Sequence, residues 1–278
     1  MPIRKEGDKR WVEMELLVPG TPEQVWQAMA TGPGNAAWFV TADIEPRVGG
    51  AFRIDFGNGV TSSGDVTRWN PPHQFGYVER DWEPDAPPIA TEITITSRSG
   101  DHCVVRMVHS LFTSSDDWDT QVEGFEKGWP GFFAVLRVYL KHFAGMRASS
   151  FMAMQSTPVD VSGAWQRVTE SSGVAGANVG EHRTAQDGPE AWSGIVEHVY
   201  QDSQQRLVVL RIVGPSPGIV LLGTLAPPET LADIEVKVGM GAGTNVSVAR
   251  YFYGENAEAL AAVGESRWRE WLARMFAT

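Results

Sequence analysis

The amino-acid sequence predicts an α+β fold that is built twice, each half a curved antiparallel sheet wrapped around a long C-terminal helix. The segment Gly124 to Phe143 repeats apolar side chains at three- and four-residue steps, as an α-helix with one buried face does. Short alternating segments precede it, separated by Gly, Pro and Asn turns, which is typical of an antiparallel meander. An aromatic helix face needs an apolar surface to cover it, and such a sheet supplies one.

The chain is expected to begin with a strand and two helices. Trp11 to Val18 mixes alternation with β-branched and apolar residues, which predicts a strand. Thr21-Pro22-Glu23 should begin a helix, because Thr caps, Pro suits the first helical position and Glu favours the positive end of the dipole. This helix should stop near Gly32-Pro33-Gly34. A second short helix, Asn35 to Phe39, should then carry two aromatic side chains.

Six strands should follow, each with one apolar face, so that a single apolar surface runs through the meander. The predicted strands are Asp43–Pro46, Ala51–Phe56, Ser62–Trp69, Gln74–Asp81, Ala90–Ser97 and Cys103–Ser110. The helix Gly124 to Phe143 is long and aromatic enough to cover this surface. Pro130 either begins the regular part of that helix or kinks it. Asp116, Asp117 and Asp119 are expected to form its N-terminal cap region.

The second half of the chain repeats features of the first. Ser156-Thr157-Pro158 leading to Trp165 resembles Thr21-Pro22 leading to Trp26, and Ser193-Gly194-Ile195-Val196 stands where Ser63-Gly64-Asp65-Val66 stands. Strands are expected at Phe151–Gln155, Ile234–Val238 and Asn245–Tyr253. The final helix, Asn256 to Phe276, should bury Leu260, Val263, Trp268, Trp271, Leu272 and Met275. We therefore predict two domains, residues 1–146 and 147–278, the second degenerate because a Gly-rich loop at 173–180 replaces aromatic residues.

Composition excludes several classes of function. The 278 residues are 42% hydrophobic and 21% charged, and no apolar run is long enough to span a bilayer, so we expect a cytoplasmic protein without membrane contact. A net charge of −11 opposes binding to nucleic acid. The one cysteine, Cys103, lies in an apolar strand and is expected to be buried and inert. The six histidines show no ligand spacing, and no G-x-S-x-G or P-loop motif occurs, so no metal or cofactor is expected.

Several short motifs in the first half together resemble one known family. The matching stretches are Pro19 to Trp26, Ala42 to Gly50, Gly64-Asp65-Val66, Pro71-Pro72, Val108-His109-Ser110, and Gly128-Trp129 with Phe132, Phe133 and Leu136. They are similar to the START-like (SRPBCC, helix-grip) superfamily, in the branch named after the activator of the ninety-kilodalton heat-shock protein ATPase. The resemblance implies a helix-grip fold in both halves and an apolar cavity between sheet and helix in the first.

The resemblance and the aromatic lining together suggest that the first domain binds a small hydrophobic or aromatic molecule. The expected ligand-binding residues are Trp38, Phe39, Phe52, Ile54, Phe56, Phe75, Tyr77, Trp82, Met107, Trp129, Phe132, Phe133 and Leu136. Trp82 either closes the mouth of the cavity or packs on the Pro-rich loop at 84–88. The simplest alternative is that the aromatic helix face is ordinary core.

Two polar residues continue the inward alternation of their strands. His109 follows Val105 and Met107, and Glu79 follows Phe75 and Tyr77. In a closed apolar chamber they could act as acid and base of a cyclase-like or hydrolase-like enzyme, as in some START-like proteins. Otherwise both lie at strand ends where water reaches them. Two further alternatives stay open at this point: a chaperone-interacting protein, suggested by the name of the branch, and a homodimer.

Overall fold

The computed structural model of the chain describes residues 3–57, 59–80, 82, 86–113, 119–214, 216–227 and 243–277, with the backbone alone for residues 119–127. The chain divides into two compact units, Met1–Gly145 and Met146–Thr278. Each unit has one antiparallel sheet and a long C-terminal helix, which confirms the predicted fold class.

The first unit contains eight strands and three helices within the described residues. In chain order they are β1 (Arg4–Glu6), β2 (Lys9–Pro19), α1 (Pro22–Ala30), α2 (Gly32–Asn35), β3 (Thr41–Ile44), β4 (Ala51–Asp55), β5 (Thr61–Asn70), β6 (Gln74–Glu79), β7 (Ile89–Arg98), β8 (His102–Phe112) and α3 (Asp119–His142). The strands form one sheet in the order β1-β2-β8-β7-β6-β5-β4-β3. The predicted order of elements is confirmed, and β1 is an addition to it.

The two short helices are fixed by threonine caps. At the start of α1, Thr21 Oγ1 accepts from the backbone N–H of Gln24, while the Gln24 side chain accepts from the backbone N–H of Thr21. Thr31 caps α2 in the same manner by accepting from the N–H of Gly34. This cap starts the second helix at Gly32, and the helix ends at Asn35, so the prediction that it runs from Asn35 to Phe39 is wrong. Trp38 and Phe39 lie in the turn that follows.

Helix α3 packs against β2 and β8 and covers the inner face of the sheet. It begins at Asp119, well before Pro130, so that proline lies inside the helix and does not begin it. Its predicted inner face is buried at Phe133, Leu136, Leu140 and Phe143. The predicted cap at Asp116 and Asp117 falls outside the described residues, as does the side chain of Asp119.

Cys103 lies on β8 with its side chain buried, as the sequence predicts. Its thiol donates to the backbone carbonyl of Gly20 over 3.3 Å. Burial raises the pKa of the Cys103 thiol, and the charge of Glu23 adds to the rise. A thiol with a raised pKa carries little of the reactive thiolate at neutral pH.

The second unit contains six strands and two helices within the described residues. They are β9 (Ala148–Thr157), α4 (Val161–Ser171), β10 (His182–Ala185), β11 (Trp192–Gln201), β12 (Gln205–Ile212), β13 (Gly218–Leu225), β14 (Thr244–Tyr253) and α5 (Ala257–Met275). The sheet order is β10-β11-β12-β13-β14-β9. Helix α5 packs against β9 and β14, as α3 packs against β2 and β8 in the first unit.

One prediction for the second unit stays untested and another needs correction. The strand expected at Ile234–Val238 lies outside the described residues. Val263 was expected on the buried face of α5 but is 52% exposed. At this turn of the helix it is Gly264 that faces the sheet, because a Cβ there would lie 2.9 Å from Cε1 of Phe151.

The two Ser-Gly motifs occupy corresponding places in the two sheets. Each lies at the start of a long strand, β5 or β11, and each strand has a β-bulge directly after the valine of the motif, Val66 or Val196. The glycine is required in both, because a Cβ on Gly64 would lie 1.7 Å from the carbonyl oxygen of Val78 and one on Gly194 would lie 2.9 Å from that of Arg211. The repeat seen in the sequence is therefore a repeat of backbone geometry.

Replacing Gly64 with alanine tests this close approach of strands. We expect Gly64→Ala to lower the free energy of unfolding by about 3 kcal/mol, because the added methyl group meets a backbone carbonyl that cannot move aside. The matched control is Gly128→Ala on α3, where a Cβ meets nothing within 4 Å. That change should stabilise the protein by about 0.5–1 kcal/mol through helix propensity. Urea unfolding measures both, and equal stabilities of G64A and wild type would contradict the prediction.

Candidate functional site

A cavity lies between the inner face of the first unit's sheet and α3. Ten side chains line it, contributed by the sheet, by α1, by residues 35–39 and by α3: Met29, Asn35, Trp38, Phe39, Phe52, Phe75, Tyr77, Ile93, Met107 and Trp129. We call this cavity the chamber. The centre of a water molecule can reach about 10 Å³ of it, which is room for about one water molecule. The chamber is thus almost filled by its own aromatic side chains.

The sheet side of the chamber is built from side chains that lie opposite each other on neighbouring strands. Phe75 on β6 pairs with Ile93 on β7, which pairs with Met107 on β8. Two residues further along β6, Tyr77 stacks on Phe52 of β4 with ring centroids 3.8 Å apart. All of these side chains are buried, since successive inward positions of a strand point to the same face.

The helix side of the chamber is an aromatic cluster. The ring of Phe39 lies 4.8 Å from those of Trp129 and Phe132, measured between centroids. Trp38 is held in place because its indole N–H donates to the carbonyl of Ala28 over 2.9 Å. Trp38 is buried, whereas Trp129 and Phe132 are partly exposed. The α3 side of the chamber is therefore the side with access to solvent.

A row of polar side chains crosses the sheet beside the chamber. Tyr77, Thr91 and His109 lie directly opposite each other on β6, β7 and β8. The hydroxyl of Thr91 lies 2.8 Å from Nδ1 of His109 and also hydrogen-bonds the phenol of Tyr77. The imidazole of His109 stacks on Trp129, with centroids 5.4 Å apart and planes inclined by 16°. A chain of hydrogen bonds thus leads from the wall of the chamber to His109.

Burial changes the protonation of these groups. It lowers the pKa of His109 to about 4, so the imidazole is neutral at pH 7. It also raises the pKa of the Glu79 carboxyl, with the hydroxyl of Ser62 opposing the rise. The pKa of the Tyr77 phenol is raised by burial and, further, by the charge of Glu79. The site therefore holds a weak base and an acid that keeps its proton to a higher pH than usual.

The alternative that water reaches Glu79 and His109 at strand ends is wrong. Glu79 is 8% exposed and His109 is 5% exposed. His109 is covered because β8 continues to Phe112 in register with β2. Glu79 ends β6, but it pairs with Gly64 on one side and Ile89 on the other. Neither side chain is among those that line the chamber, although both lie on the same inner face.

Seven of the thirteen predicted ligand-binding residues line the chamber: Trp38, Phe39, Phe52, Phe75, Tyr77, Met107 and Trp129. The other six are not part of its lining, namely Ile54, Phe56, Trp82, Phe132, Phe133 and Leu136. The indole N–H of Trp82 donates to the carbonyl of Pro87 over 2.9 Å, so its polar contact is with the Pro-rich loop. Whether any of the thirteen contacts a ligand stays a prediction.

Three lining residues, Met29, Asn35 and Ile93, were not predicted from the sequence. Ile93 shares an inward face with Ile95, and Met29 belongs to the apolar face of α1, so hydrophobic periodicity signals both. Asn35 has no such signal. Its amide donates to the carbonyls of Met29 and Thr31, each over 3.0 Å, which fixes a polar side chain in an aromatic wall.

In the described part of the chain, no three or more His, Cys, Asp or Glu side chains converge in a way that could hold a metal ion. None of its helices combines the length and the apolar character needed to cross a membrane.

The first unit has helix-grip architecture, a curved antiparallel sheet closed by one long C-terminal helix, with a chamber between them. Residues 19–141 match the family model described as Activator of Hsp90 ATPase homolog 1-like protein. The match covers the region in which the short motifs lie, so the resemblance that they predict is confirmed for the first unit. The matched segment is less than half of the chain. No curated protein sequence matches the chain.

Several solved structures are similar to parts or all of the chain. A protein from Mesorhizobium loti is 25% identical and covers 48% of this chain and 98% of its own, with a TM-score of 0.45. DynU16, a putative protein in the dynemicin biosynthetic locus, is 16% identical. The match covers 98% of this chain and 97% of DynU16, with a TM-score of 0.42. The di-domain ARO/CYC BexL from the BE-7585A biosynthetic pathway is 15% identical, covers 96% and 93%, and has a TM-score of 0.42.

Burial of a neutral His109 predicts a specific loss of stability in acid. The unfolded imidazole takes up a proton below about pH 6.5, whereas the folded one stays neutral down to about pH 4. Between these values the unfolded state binds more protons. We therefore expect the wild type to lose up to about 3 kcal/mol of unfolding free energy more than His109→Gln as the pH falls.

Denaturant unfolding at several pH values measures this difference. The raised pKa of Glu79 has the opposite effect, since it makes the folded state more stable as the pH falls. This effect is present in both proteins and cancels in the comparison. The matched control is His102→Gln, which makes the same exchange at a partly exposed histidine at the start of β8. Parallel stability curves for H109Q and wild type would show that His109 is not buried in its neutral form.

Proposed function

We propose that the first unit binds a small hydrophobic or aromatic molecule in the chamber between its sheet and α3. The observation that carries this proposal is the chamber itself, a space lined by Trp, Phe, Tyr, Met and Ile side chains with one fixed amide, Asn35. Ligand sites are mostly apolar with a few placed polar groups, and this lining has that character.

The size of the chamber sets a condition for binding. With about 10 Å³ open to water centres, a ligand has to displace side chains that now fill the space. Trp129 and Phe132 on α3 are the partly exposed members of the cluster, whereas Trp38 is buried and anchored to Ala28. We propose that Trp129 and Phe132 move outward on binding, so the aromatic cluster covers the empty chamber and then covers the ligand.

Filling the chamber from the sheet side tests the proposal. Ile93→Trp adds a ring inside the chamber, because Ile93 is buried in its lining. We expect it to abolish binding of the neutral apolar probe N-phenyl-1-naphthylamine, measured by fluorescence, and to remove any small molecule that native mass spectrometry finds on the purified wild type. Overpacking should cost about 1–3 kcal/mol of stability.

The matched control is Glu92→Trp, which places the same ring on the adjacent, exposed position of β7. It should bind the probe as the wild type does. Equal probe binding by wild type, I93W and E92W would mean that the probe binds elsewhere. Absence of both probe binding and a retained molecule in the wild type would overturn the proposal.

A second candidate is an enzyme of the cyclase or hydrolase type, and one observation favours it. Glu79 and His109 lie in adjacent rows on the inner face. Burial raises the pKa of Glu79 and lowers that of His109, and both shifts favour the neutral form of the side chain. A carboxyl with a raised pKa suits a general acid. His109, with a pKa of about 4, is a weak base and is better suited to accept or donate a hydrogen bond. Because neither group lines the chamber, we place binding first.

Glu79→Gln separates the two candidates, since it keeps the size of the side chain and removes its acidic proton. If the protein is an enzyme, the mass of a bound compound changes during incubation with wild type and stays constant with E79Q, while N-phenyl-1-naphthylamine binds both equally. If the protein is a binder, both proteins return the compound unchanged.

The name of the matched family also suggests a chaperone partner. A name supplies no contact residue or surface, whereas the chamber is defined by ten described side chains of the first unit. The proposal therefore rests on the chamber.

A further inference from the structure

The second unit places a buried arginine where the first unit has His109. In the first sheet one cross-strand row runs Val66, Tyr77, Thr91, His109, Val12. In the second sheet the row just before the matching β-bulge runs Val196, Leu210, Val220, Arg250, Phe151. Arg250 therefore stands on the inner face of β14 at the position that His109 occupies on β8.

The long helix of the second unit also brings a tryptophan to this position. In the first unit Trp129 of α3 stacks on His109, and in the second unit Trp268 of α5 reaches the group that Arg250 binds. That group is the carboxylate of Glu190, on the segment between β10 and β11. Its Oε1 accepts from Arg250 Nε over 2.9 Å and from Trp268 Nε1 over 3.1 Å. Two donors from different elements thus converge on one oxygen.

The donors are fixed, while the acceptor comes from a connection. Arg250 is 1% exposed, its guanidinium lies 3.9 Å above the ring of Phe252, and its Nη1 donates to the carbonyl of Tyr251 over 2.8 Å. Trp268 is equally buried within α5. The Glu190 side chain is 21% exposed and belongs to a segment without regular structure. A buried guanidinium needs an anion beside it, so the site demands a carboxylate whichever molecule supplies it.

We propose that Arg250 and Trp268 form a carboxylate-binding site in the second unit, and that Glu190 of the same chain is its resident ligand. The second unit is then occupied by its own side chain at the position that corresponds to His109, beside the chamber, in the first unit. A small external carboxylate takes the site when Glu190 leaves it. This inference does not depend on ligand binding by the first unit.

Chemical rescue tests the site in the full-length chain. Glu190→Ala removes a fragment the size of acetate and leaves Arg250 buried without its anion. We expect the unfolding temperature of the second unit to fall by roughly 10 °C, since breaking a buried ion pair costs much of a domain's stability. Sodium acetate should raise it again by roughly 3–6 °C at about ten times its dissociation constant, compared with sodium chloride of equal ionic strength.

Two variants control for general effects of acetate. Glu197→Ala breaks another arginine ion pair, Glu197 Oε1 to Arg211 Nε at 2.6 Å, in which the arginine side chain is 20% exposed. It should show no acetate response beyond that of chloride. The double variant E190A/R250M lacks the guanidinium, and it should also show none. The wild type should not respond either, because Glu190 already fills the site.

The possible outcomes separate clearly. An acetate-specific rise in E190A that is lost in E190A/R250M supports the site. A rise of equal size in E197A, or none in E190A, overturns it. Should E190A fail to fold in chloride, refolding from urea in acetate decides the matter: recovery in acetate alone supports the proposal, and failure in both salts overturns it.

Discussion

The packing of one long helix on the inner face of a curved sheet determines the rest of this structure. In the first unit α3 lies mainly against β2 and β8, and Leu136 is fully buried in that contact. The sheet continues from β7 to β3, beyond the strands that the helix covers, and its inner face there is still apolar. The turn with Trp38 and Phe39 and the ring of Trp129 cover this remainder. The chamber lies where these large side chains meet.

The same constraint explains the surroundings of the inward polar side chain on the last strand of each unit, which is His109 on β8 and Arg250 on β14. An inward side chain at this row is enclosed by the sheet and the helix, so a charged group needs a partner or must become neutral. His109 becomes neutral and bonds to Thr91, whose own position opposite it follows from strand register. Arg250 stays charged beside Glu190. One backbone geometry therefore supports two different electrostatic solutions, and which one is used depends on a few side chains.

The filled state of the chamber bears on function. An aromatic cluster that excludes all but about one water molecule keeps a hydrophobic site from exposing a large apolar surface when it is empty. Trp129 and Phe132 are partly exposed on α3, and they are the part of the cluster that moves in the binding mode proposed above. An apolar pocket discriminates weakly among apolar ligands, so in that proposal selectivity comes from Asn35 and from the polar row that begins at Tyr77.

The sequence by itself determined the order of elements, the inward faces of most strands and the repeat of two units, because these follow from local periodicity and turn chemistry. It also identified seven residues of the chamber lining, which alternate inward on strands, belong to the aromatic helix face or, as Trp38 and Phe39 do, follow α2. It misplaced α2 by a few residues, since a threonine cap competes with the preference of the following aromatic residues. It treated Val263 as buried because periodicity cannot show that Gly264 meets Phe151 across the sheet.

Only the tertiary structure decided the size of the chamber and the state of its polar groups. Whether Glu79 and His109 meet water depends on how far neighbouring strands extend beside them, which is a property of pairing between distant segments. The convergence of Arg250, Trp268 and Glu190 joins a strand, a helix and a connection that are far apart in the chain. Local pattern carries no information about such distances, because they are fixed by register and packing and not by the sequence around each residue.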